Sequence, residues 1–283
     1  MPSSLTIAAP AKINLWLRIL RRRDDGFHEL DTRLLALDLA DELTLRWAGA
    51  GEAGHLLTCS DPALPVGADN LVLKALAAME KRTGPLPGLA IHLEKRIPHG
   101  AGLGGGSSDA AALLRGVNEL AALGFSQEEL AGIAAEVGSD VPFFVHGGAC
   151  DVRGRGEVVE PLPSFAPRLR VLLLKPDFPV STPWAYRQWL DSREIPGIPY
   201  AAQRLPFGEV VNDLERPVFA KYLLLADMKA WLLVRAEIAA ALMSGSGSTM
   251  FALVREEAET GSLLADVAAE YGPRLWTWLG RTH

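Results

Sequence analysis

From Lys12 to Ile19, every second residue is isoleucine or leucine. This alternation predicts a β-strand, because successive side chains of a strand point to opposite faces. One face is apolar, and the opposite face begins with Lys12 and Asn14. A turn is predicted at residues 24–26, which read Asp-Asp-Gly. The chain therefore opens with a strand that presents two polar side chains on one face.

The remaining sequence contains both strand and helix periodicity. Strands are predicted at 34–39, 43–47, 90–94, 170–174 and 250–254, helices at 70–81, 110–120, 127–137, 218–226, 228–242 and 262–271, and a loop at 49–54. Residues 176–207 are rich in proline and aromatics and show little periodicity. We expect an α+β protein of two domains, 1–160 and 161–283, with the boundary near 155–165.

The most apolar long stretch, 222–243, is interrupted by Asp227, Lys229, Arg235 and Glu237. It is therefore expected to form an amphipathic helix rather than a membrane span. The first residues do not combine a basic stretch with an apolar run, so we expect no signal peptide, no membrane association and a cytoplasmic location.

Composition narrows the choice of partners. The chain has 283 residues, of which 49% are hydrophobic, and a formal net charge of -6. Nucleic acid is not expected as a partner, because phosphate backbones need clustered cations. The two cysteines, Cys59 and Cys150, lack the spacing of a disulfide framework or zinc site. A small anionic ligand stays compatible with this charge, because a few local donors can bind it.

A glycine-rich segment gives the strongest chemical signal. PHGAGLGGGSS occupies residues 98–108, with five glycines among the seven positions from Gly100 to Gly106. Glycine lets backbone N–H groups approach an anion closely, and a helix that begins near Ser108 adds unsatisfied donors and the positive end of its dipole. The alternative is a linker in which Ser107 or Ser108 caps the helix. Because regular elements frame the segment closely, we interpret it as a phosphate-binding loop.

Other nucleotide folds fit this segment less well. Its glycine spacing satisfies the Rossmann pattern, but no acidic residue ends a following strand about 20 residues on. No lysine stands where the Walker A pattern needs one, and the HRD and DFG triplets of protein kinases do not occur.

Three motifs in order resemble those of the GHMP kinase superfamily. APAKINL at 9–15 resembles the first motif, the glycine-rich segment resembles the second, and LMSGSGST at 242–249 resembles the third. The resemblance implies a two-domain fold, with an N-terminal domain like the second domain of a small-subunit ribosomal protein and an α+β C-terminal domain. It also implies that the second motif wraps the phosphates of ATP and that the third faces them.

Four further segments resemble the diphosphocytidyl-methylerythritol kinase branch: GFHEL at 26–30, GSDVPFF at 138–144, GRGE at 154–157 and NDLE at 212–215. This resemblance implies ATP-dependent phosphorylation of the 2-hydroxyl of 4-diphosphocytidyl-2-C-methyl-D-erythritol in non-mevalonate isoprenoid synthesis, with both ligands bound between two domains. Phe27 stands where the branch often has tyrosine, and Ser139 where it often has alanine.

The catalytic candidates are Asp140 and Lys12. Phosphoryl transfer needs a group that handles the alcohol proton, and Asp140 can serve as that base or as a cap for the turn that follows it. Lys12 alone could be a solvated lysine. The resemblance places it beside the catalytic aspartate, where a cation keeps Asp140 ionised and stabilises the developing charge.

The substrate candidates are Asn14, Phe27, His28, Thr182 and Tyr186. Asn14 shares a strand face with Lys12 and is either a substrate ligand or a surface polar residue. The resemblance implies a cytosine pocket in which Phe27 stacks and His28 hydrogen-bonds the base. Tyr186 is either a second stacking face or a core aromatic.

The ATP-site candidates form one continuous run and two outliers: Pro98, His99, Gly100, Ala101, Gly102, Leu103, Gly104, Gly105, Gly106, Ser107 and Ser108, with Asn70 and Lys95. The third glycine motif contributes Gly245, Ser246, Gly247 and Ser248. Asp109 and Ser108 could meet Mg²⁺, but the sequence does not fix the metal ligands. The expected cofactors are ATP and Mg²⁺. Another GHMP kinase of homoserine, mevalonate or galactose type, a related decarboxylase and a non-catalytic nucleotide-binding regulator stay as alternatives.

Overall fold

The computed structural model describes residues 3–49, 54–165 and 167–283, so most of the loop predicted at 49–54 lies outside the described residues. The strands are β1 (Ser4–Arg22), β2 (His28–Trp47), β3 (Leu56–Cys59), β4 (Leu89–Glu94), β5 (Ala149–Gly154), β6 (Val158–Pro161), β7 (Arg170–Lys175), β8 (Gln203–Leu205), β9 (Gly208–Asn212), β10 (Ile238–Met243), β11 (Met250–Val254) and β12 (Trp276–Arg281). The helices are α1 (Leu71–Thr83), α2 (Gly105–Leu120), α3 (Gln127–Val137), α4 (Val141–His146), α5 (Thr182–Gln188), α6 (Glu215–Lys221), α7 (Leu223–Leu233) and α8 (Thr260–Tyr271).

Two sheets organise these elements. The larger has the order β3-β4-β2-β1-β9-β8, with β5 paired to β2 and β6 to β5. Strand β2 is long enough to pair with β5 through its first half and with β4 through its second half. The smaller sheet has the order β10-β11-β7-β12.

The two sheets share a core that explains the side chain pattern of β1. Ile13 and Leu15 pack in one buried cluster with Leu173 and Leu242 of the smaller sheet. Because side chains alternate along a strand, Lys12 and Asn14 point to the opposite side. On that side, helix α2 contacts β1 and β2. Because the apolar face packs against the smaller sheet, both polar side chains lie on the side of the larger sheet that faces α2.

One strand from the second predicted domain belongs to the sheet of the first. Strand β9 lies beyond residue 161 but pairs in parallel with β1, so that Trp16 stands opposite Val211. The larger sheet therefore contains strands from both sides of the boundary predicted near 155–165, and the division at 160/161 stays a prediction.

Several elements predicted from periodicity are confirmed. The helix at 127–137 coincides with α3, and the strands at 90–94, 170–174 and 250–254 lie within β4, β7 and β11. The strands at 34–39 and 43–47 are two parts of the single strand β2. Residues 176–207, which lack clear periodicity, contain α5 and β8.

The helix predicted at 228–242 is wrong in its second half, as is the single helix over 222–243. Helix α7 ends at Leu233, and Ile238–Met243 is the strand β10, paired with β11. A short apolar run fits a buried strand as well as a helix, and here pairing with β11 decides. The helix predicted at 218–226 is divided at Tyr222 between α6 and α7. Within the described ranges, no helix is long and apolar enough to cross a membrane.

Candidate active site

A cavity of about 900 Å³ lies between the polar face of β1, the turn before α2, the start of α4, helix α5 and the β10–β11 turn. It brings together candidates that are far apart in sequence. Among the residues that line it are Lys12, Asn14, Phe27, His28, Asn70, Lys95, Pro98, His99, Gly100, Ala101, Gly102, Leu103, Gly104, Gly105, Gly106, Ser107, Asp140, Thr182, Tyr186, Gly245 and Ser246.

The glycine-rich segment enters its helix earlier than predicted. Helix α2 begins at Gly105 rather than near Ser108, so the last residues of the motif form its first turn. Gly104 precedes this turn in the left-handed conformation, with φ 74°, which glycine adopts without a steric penalty. The first-turn N–H groups of a helix have no intrahelical acceptor. The cavity therefore borders a helix N-terminus that can bind an anion.

The second and third glycine motifs hold each other in place. The hydroxyl of Ser244 donates to the carbonyl of Gly102 at 3.0 Å, and the N–H of Thr249 donates to the carbonyl of Ala101 at 3.2 Å. A Cβ atom on Gly102 would lie 2.3 Å from the carbonyl oxygen of Ser244. Only glycine permits this approach, which juxtaposes the two turns at the cavity.

Only part of the third motif reaches the cavity. Gly245 and Ser246 line it, and the hydroxyls of Ser246 and Thr182 are 2.7 Å apart. Ser248 is fully buried behind the turn, where its hydroxyl donates to the carbonyl of Phe178, and a Cβ on Gly247 would meet Met243. Ser108 is also buried, with no hydrogen-bond partner for its hydroxyl within the described residues.

Lys12 is buried with 4% of its surface exposed, so it is not a solvated lysine. Its Nζ donates to Oδ1 of Asn14 at 2.7 Å. Burial lowers the pKa of Lys12 below its ordinary value, and the charge of Asp140 opposes this effect. Gly245 closes the space on one side, because a Cβ there would lie 3.1 Å from Nζ. The ammonium group is thus confined beside the cavity.

Asp140 stands at the cap position of α4, but its side chain makes no capping hydrogen bond. Pro142 in the first turn removes one backbone donor that would otherwise need a partner. The carboxylate lines the cavity and interacts electrostatically with Lys12 and Tyr186. A carboxylate that is not used for capping is free to accept a proton from a bound ligand.

Aromatic rings form the other end of the cavity. The ring of His28 lies 5.4 Å from that of Tyr186, with 31° between their planes, and 6.0 Å from that of Trp189. Burial lowers the pKa of His28, and the charge of Arg22 lowers it further. The neutral imidazole has one donor and one acceptor nitrogen. Phe27 is 51% exposed.

Three arginines that sequence reasoning missed also line this end: Arg22, Arg155 and Arg187. The guanidinium of Arg155 lies 5.2 Å from the ring centre of Phe27. Arg155 belongs to the GRGE motif, which was a usable signal, whereas nothing in the sequence marks Arg22 and Arg187. Three cationic side chains from separate segments therefore line this end.

Asn70 and Lys95 line the cavity but already have protein partners. The side chain of Asn70 accepts from the N–H of Val72 at 2.9 Å, which caps α1, and donates to the carbonyl of Pro65 at 2.7 Å. Lys95 is paired with Asp41 and with Asp109, the latter at 2.8 Å. Sequence reasoning missed Asp41, since it lies 54 residues before Lys95.

The Asp41–Lys95–Asp109 cluster holds two carboxylates around one ammonium. Burial would lower the pKa of Lys95, but the charges of Asp109 and Asp41 outweigh it and raise that pKa. Burial raises the pKa of Asp109 to about 7, against the opposing charge of Lys95. Oδ1 of Asp109 is buried and has no hydrogen-bond partner within the described residues.

Comparison with known proteins first defines the class. Residues 70–148 match the family described as GHMP kinases N terminal domain, and residues 202–273 match GHMP kinases C terminal. With the glycine turns and the cavity between them, these matches show that the chain is a GHMP kinase, a class that uses ATP as phosphate donor.

Full-length relatives then define the branch. The chain is 41% identical to 4-diphosphocytidyl-2-C-methyl-D-erythritol kinase of Methylacidiphilum infernorum, over 95% of this chain and 93% of the relative. It is 40% identical to the kinase of that name from Gloeobacter violaceus, over 96% and 93%. The chain therefore belongs to the 4-diphosphocytidyl-2-C-methyl-D-erythritol kinase family.

Solved structures agree with this placement. A crystal structure of 4-(cytidine 5'-diphospho)-2C-methyl-D-erythritol kinase superposes with a TM-score of 0.77 and 32% identity, covering 98% of this chain and 99% of that one. Homoserine kinase from Cytophaga hutchinsonii superposes with a TM-score of 0.71 at 19% identity, covering 100% of this chain and 95% of that one, which shows a shared fold.

Proposed function

We propose that this protein transfers the γ-phosphoryl group of ATP to the 2-hydroxyl of 4-diphosphocytidyl-2-C-methyl-D-erythritol, in the non-mevalonate route to isopentenyl diphosphate. The observation that carries the proposal is the cavity itself. One end borders the N-terminus of α2, whose free N–H groups suit a phosphate, and the other end is lined by aromatic and cationic side chains. Lys12 and Asp140 both line the cavity.

The donor end suits the phosphates of ATP. First-turn N–H groups of α2 and the backbone of the two glycine turns supply neutral donors, so the net charge of -6 is no obstacle. We assign Pro98 to Ser107 to the phosphate and nucleotide contacts, with Gly245 and Ser246 facing them. We assign Asn70 and Lys95 to the wall of this end, because their polar groups are hydrogen-bonded to the protein.

Asp140 is the proposed base. Its carboxylate accepts the proton of the acceptor hydroxyl as that oxygen forms a bond to the γ-phosphorus, and the bond from this phosphorus to the bridging oxygen of ADP breaks. The positive charge of Lys12 attracts the carboxylate of Asp140 and stabilises negative charge on the attacking oxygen. Both effects require a charged Lys12, which its hydrogen bond to Asn14 supports.

Mg²⁺ is proposed as the companion of ATP, because it neutralises charge on the β- and γ-phosphates when bound. No cluster of three or more acidic, histidine or cysteine ligands exists among the described residues. Mg²⁺ usually needs only one or two carboxylates besides phosphates and water. The buried, unpartnered Oδ1 of Asp109 at the cavity wall fits that requirement.

The acceptor end suits a cytidine diphosphate group. Phe27 and Tyr186 offer ring faces for a base, and neutral His28 offers one donor or acceptor to its edge. Arg22, Arg155 and Arg187 can neutralise a diphosphate. We assign Asn14 and Thr182 to the polar part of the acceptor that lies between these two ends.

Base selectivity tests this assignment. His28→Ala should raise the KM of the cytidyl acceptor and reduce its advantage over the uridyl analogue, because a pocket built on hydrogen bonds rejects an analogue that lacks them. Phe27→Ala should raise KM for both acceptors by a similar factor, since stacking does not distinguish the bases. His92→Ala, outside the cavity on β4, is the matched control. Equal cytidyl and uridyl preference in the unaltered enzyme would contradict the assignment.

Two other functions give different results in the same assay. A homoserine or mevalonate kinase, which shares the fold, would phosphorylate those acceptors preferentially. A nucleotide-binding regulator would bind ATP without releasing ADP when the acceptor is added. The presence of both Lys12 and Asp140 in the cavity favours an enzyme over a regulator.

A further inference from the structure

We propose that Thr32 is a positioning residue, whose hydroxyl orients the amide of Asn14 so that the amide oxygen holds the ammonium group of Lys12. The inference rests on the proposed function only for its kinetic readout. Thr32 lies on β2, opposite Leu17 of β1, and lines the same cavity. The sequence gives no sign of this role, because Thr32 lies 18 residues from Asn14.

Three hydrogen bonds connect a backbone carbonyl to the lysine. The Thr32 hydroxyl donates to the carbonyl of Trp16 at 2.5 Å. Nδ2 of Asn14 donates to Oγ1 of Thr32 at 2.9 Å. Nζ of Lys12 donates to Oδ1 of Asn14 at 2.7 Å. This series of hydrogen bonds begins at the main chain of β1 and ends at a proposed catalytic group.

The chemistry of the donors fixes the direction of every bond. A carbonyl can only accept, so the single proton of the Thr32 hydroxyl is committed to Trp16. Towards Asn14, this hydroxyl can then only accept, which selects the NH₂ side of the amide. The amide oxygen must therefore face Lys12, whose ammonium can only donate. The hydroxyl of Thr32 and the ammonium of Lys12 therefore require the same orientation of Asn14, and the hydroxyl holds its NH₂ end.

These three hydrogen bonds matter because the side chains that form them are buried. Lys12, Asn14 and Thr32 each have only 4% of their surface exposed, so solvent does not readily replace a lost partner. Without the hydroxyl, the NH₂ group of Asn14 has no acceptor in this buried position, so the amide must shift towards another acceptor and cannot stay in place against Lys12. A Cβ on Gly245 would lie 3.1 Å from Nζ, so the ammonium is crowded on that side. We infer that loss of the hydroxyl displaces the ammonium from its working position.

The decisive variant is Thr32→Val, which removes the hydroxyl and keeps the shape. We expect kcat to fall about tenfold, with the KM for ATP unchanged within about twofold, because loss of a buried hydrogen-bond partner perturbs Lys12 rather than the nucleotide. Thr32→Ser, which restores the hydroxyl, should recover most of kcat. Thr44→Val is the matched control, since Thr44 lies on the same strand and, among the described residues, its hydroxyl bonds only to that of Thr6; its kcat should not change.

A double-mutant cycle separates positioning from direct contact with the acceptor. If Thr32 acts through Asn14, Thr32→Val should have no further effect on kcat in an Asn14→Ala background. Additive losses, a rise in acceptor KM without a fall in kcat, or an unchanged kcat in folded Thr32→Val would each overturn the inference. Thr32→Ala, which cannot overpack the site, provides the same comparison if the valine variant does not fold. The cycle uses whichever acceptor the unaltered enzyme prefers. An incorrect acceptor assignment would therefore be seen with the unaltered enzyme and would not affect the cycle.

Discussion

The proposed catalytic role requires a charged Lys12, although burial of this side chain disfavours the charge. Burial is the larger influence on its pKa and lowers it, while Asp140 raises it in part. Asn14 supplies the hydrogen bond that compensates for lost water. The site therefore depends on a cation whose proton is held less tightly than that of an exposed lysine.

An alkaline decline in kcat follows from this environment. As pH rises through the lowered pKa of Lys12, the side chain loses its proton and its charge, so kcat should fall with a midpoint below 10.5, the ordinary lysine value. Tyr186 does not interfere, because burial and the charge of Asp140 raise its pKa. A pH profile of kcat measures the midpoint. In Lys12→Arg, residual activity should lack this decline, and a kcat constant to pH 10.5 in the unaltered enzyme would contradict the role of Lys12.

Loss of the base is the second residue-scale prediction. Asp140→Asn should reduce kcat by about 10²–10⁴-fold, the usual contribution of general-base catalysis, because the amide cannot accept the proton. ATP affinity, measured by calorimetry, should change little, since the phosphate turn lies on another segment. The control is Asp61→Asn, at a loop carboxylate absent from the cavity lining. Turnover at the unaltered rate in folded Asp140→Asn would exclude it as the base.

Single residues of the site differ in how well the sequence could predict them. Alternation along β1 placed Lys12 and Asn14 on one face, and the glycine pattern located a turn that borders the cavity before α2. Arg22, Arg187 and Asp41 could not be found, because their proximity to the cavity arises from packing between distant segments. The hydrogen bonds of Asn70 and Lys95 to protein groups were equally invisible.

At the scale of elements, the two glycine turns form a rigid pair. Gly102 has φ 75°, and a Cβ there would meet backbone oxygens of Ser244 and Gly247 at 2.3 and 2.9 Å. Backbone cannot move aside as a flexible side chain can. The contact therefore links the conformation of the second motif, the proposed ATP-binding turn, to the position of the third.

Gly102→Ala should lower both ATP affinity and stability. The methyl group forces the two turns apart, in addition to about 1–2 kcal/mol of left-handed backbone strain. Gly124→Ala is the matched control, because Gly124 has nearly the same φ, 76°, but nothing within 4 Å of its Cβ position. Isothermal titration with ATP and urea unfolding measure the two effects. Equal losses in both variants would show that strain alone, not the contact between the turns, is responsible.

The third glycine turn is also held in place by side chains of α6 and of the residues just before it. Glu215 and Lys229 form a fully buried ion pair between α6 and α7, and Oε1 of Glu215 accepts from the N–H of Met243 at 2.9 Å. Asn212 donates to the carbonyls of Met243 and Gly245 at 2.7 and 2.8 Å. The NDLE motif thus fixes the strand end from which the turn begins.

Removal of the cation from this pair should destabilise the fold. Lys229→Met leaves the carboxylate of Glu215 buried without its partner, which typically costs about 3–5 kcal/mol. Urea unfolding monitored by tryptophan fluorescence gives the change in the free energy of unfolding. Lys81→Met, at an exposed position of α1, should change it by less than about 1 kcal/mol. A loss as small as that of the control would mean that Glu215 is satisfied without Lys229.

Prediction of elements succeeded for segments with a clear period or clear boundaries, and failed where an apolar run closely followed a helix. The 11 residues of α3 carry a helical stripe with a capping box at Ser126 and Glu129. The six residues of β10 are apolar on both faces, because one side meets the other sheet and the other side meets α7. Such a run has no period, and because it begins soon after α7 ends, the sequence pattern did not separate it from that helix.

At the scale of the whole molecule, the site exists because distant parts of the chain meet. The buried cluster between the sheets joins β1 and β2 to β7, β10 and β11. This packing places the β10–β11 turn against the glycine-rich turn before α2. Order of the motifs along the chain indicated the fold, but the shape of the cavity depends on how the two sheets pack.

We propose that this cavity phosphorylates a cytidyl diphosphate-linked alcohol with ATP. The most direct measurement is kcat/KM, from ADP release and mass analysis of the acceptor, for a panel containing 4-diphosphocytidyl-2-C-methyl-D-erythritol, homoserine and mevalonate with ATP and Mg²⁺. We expect the cytidyl acceptor to gain one phosphoryl group with the highest kcat/KM, and Asp140→Asn to transfer almost none. A higher kcat/KM for homoserine or mevalonate, or ADP release without a mass gain on the cytidyl acceptor, would contradict the claim.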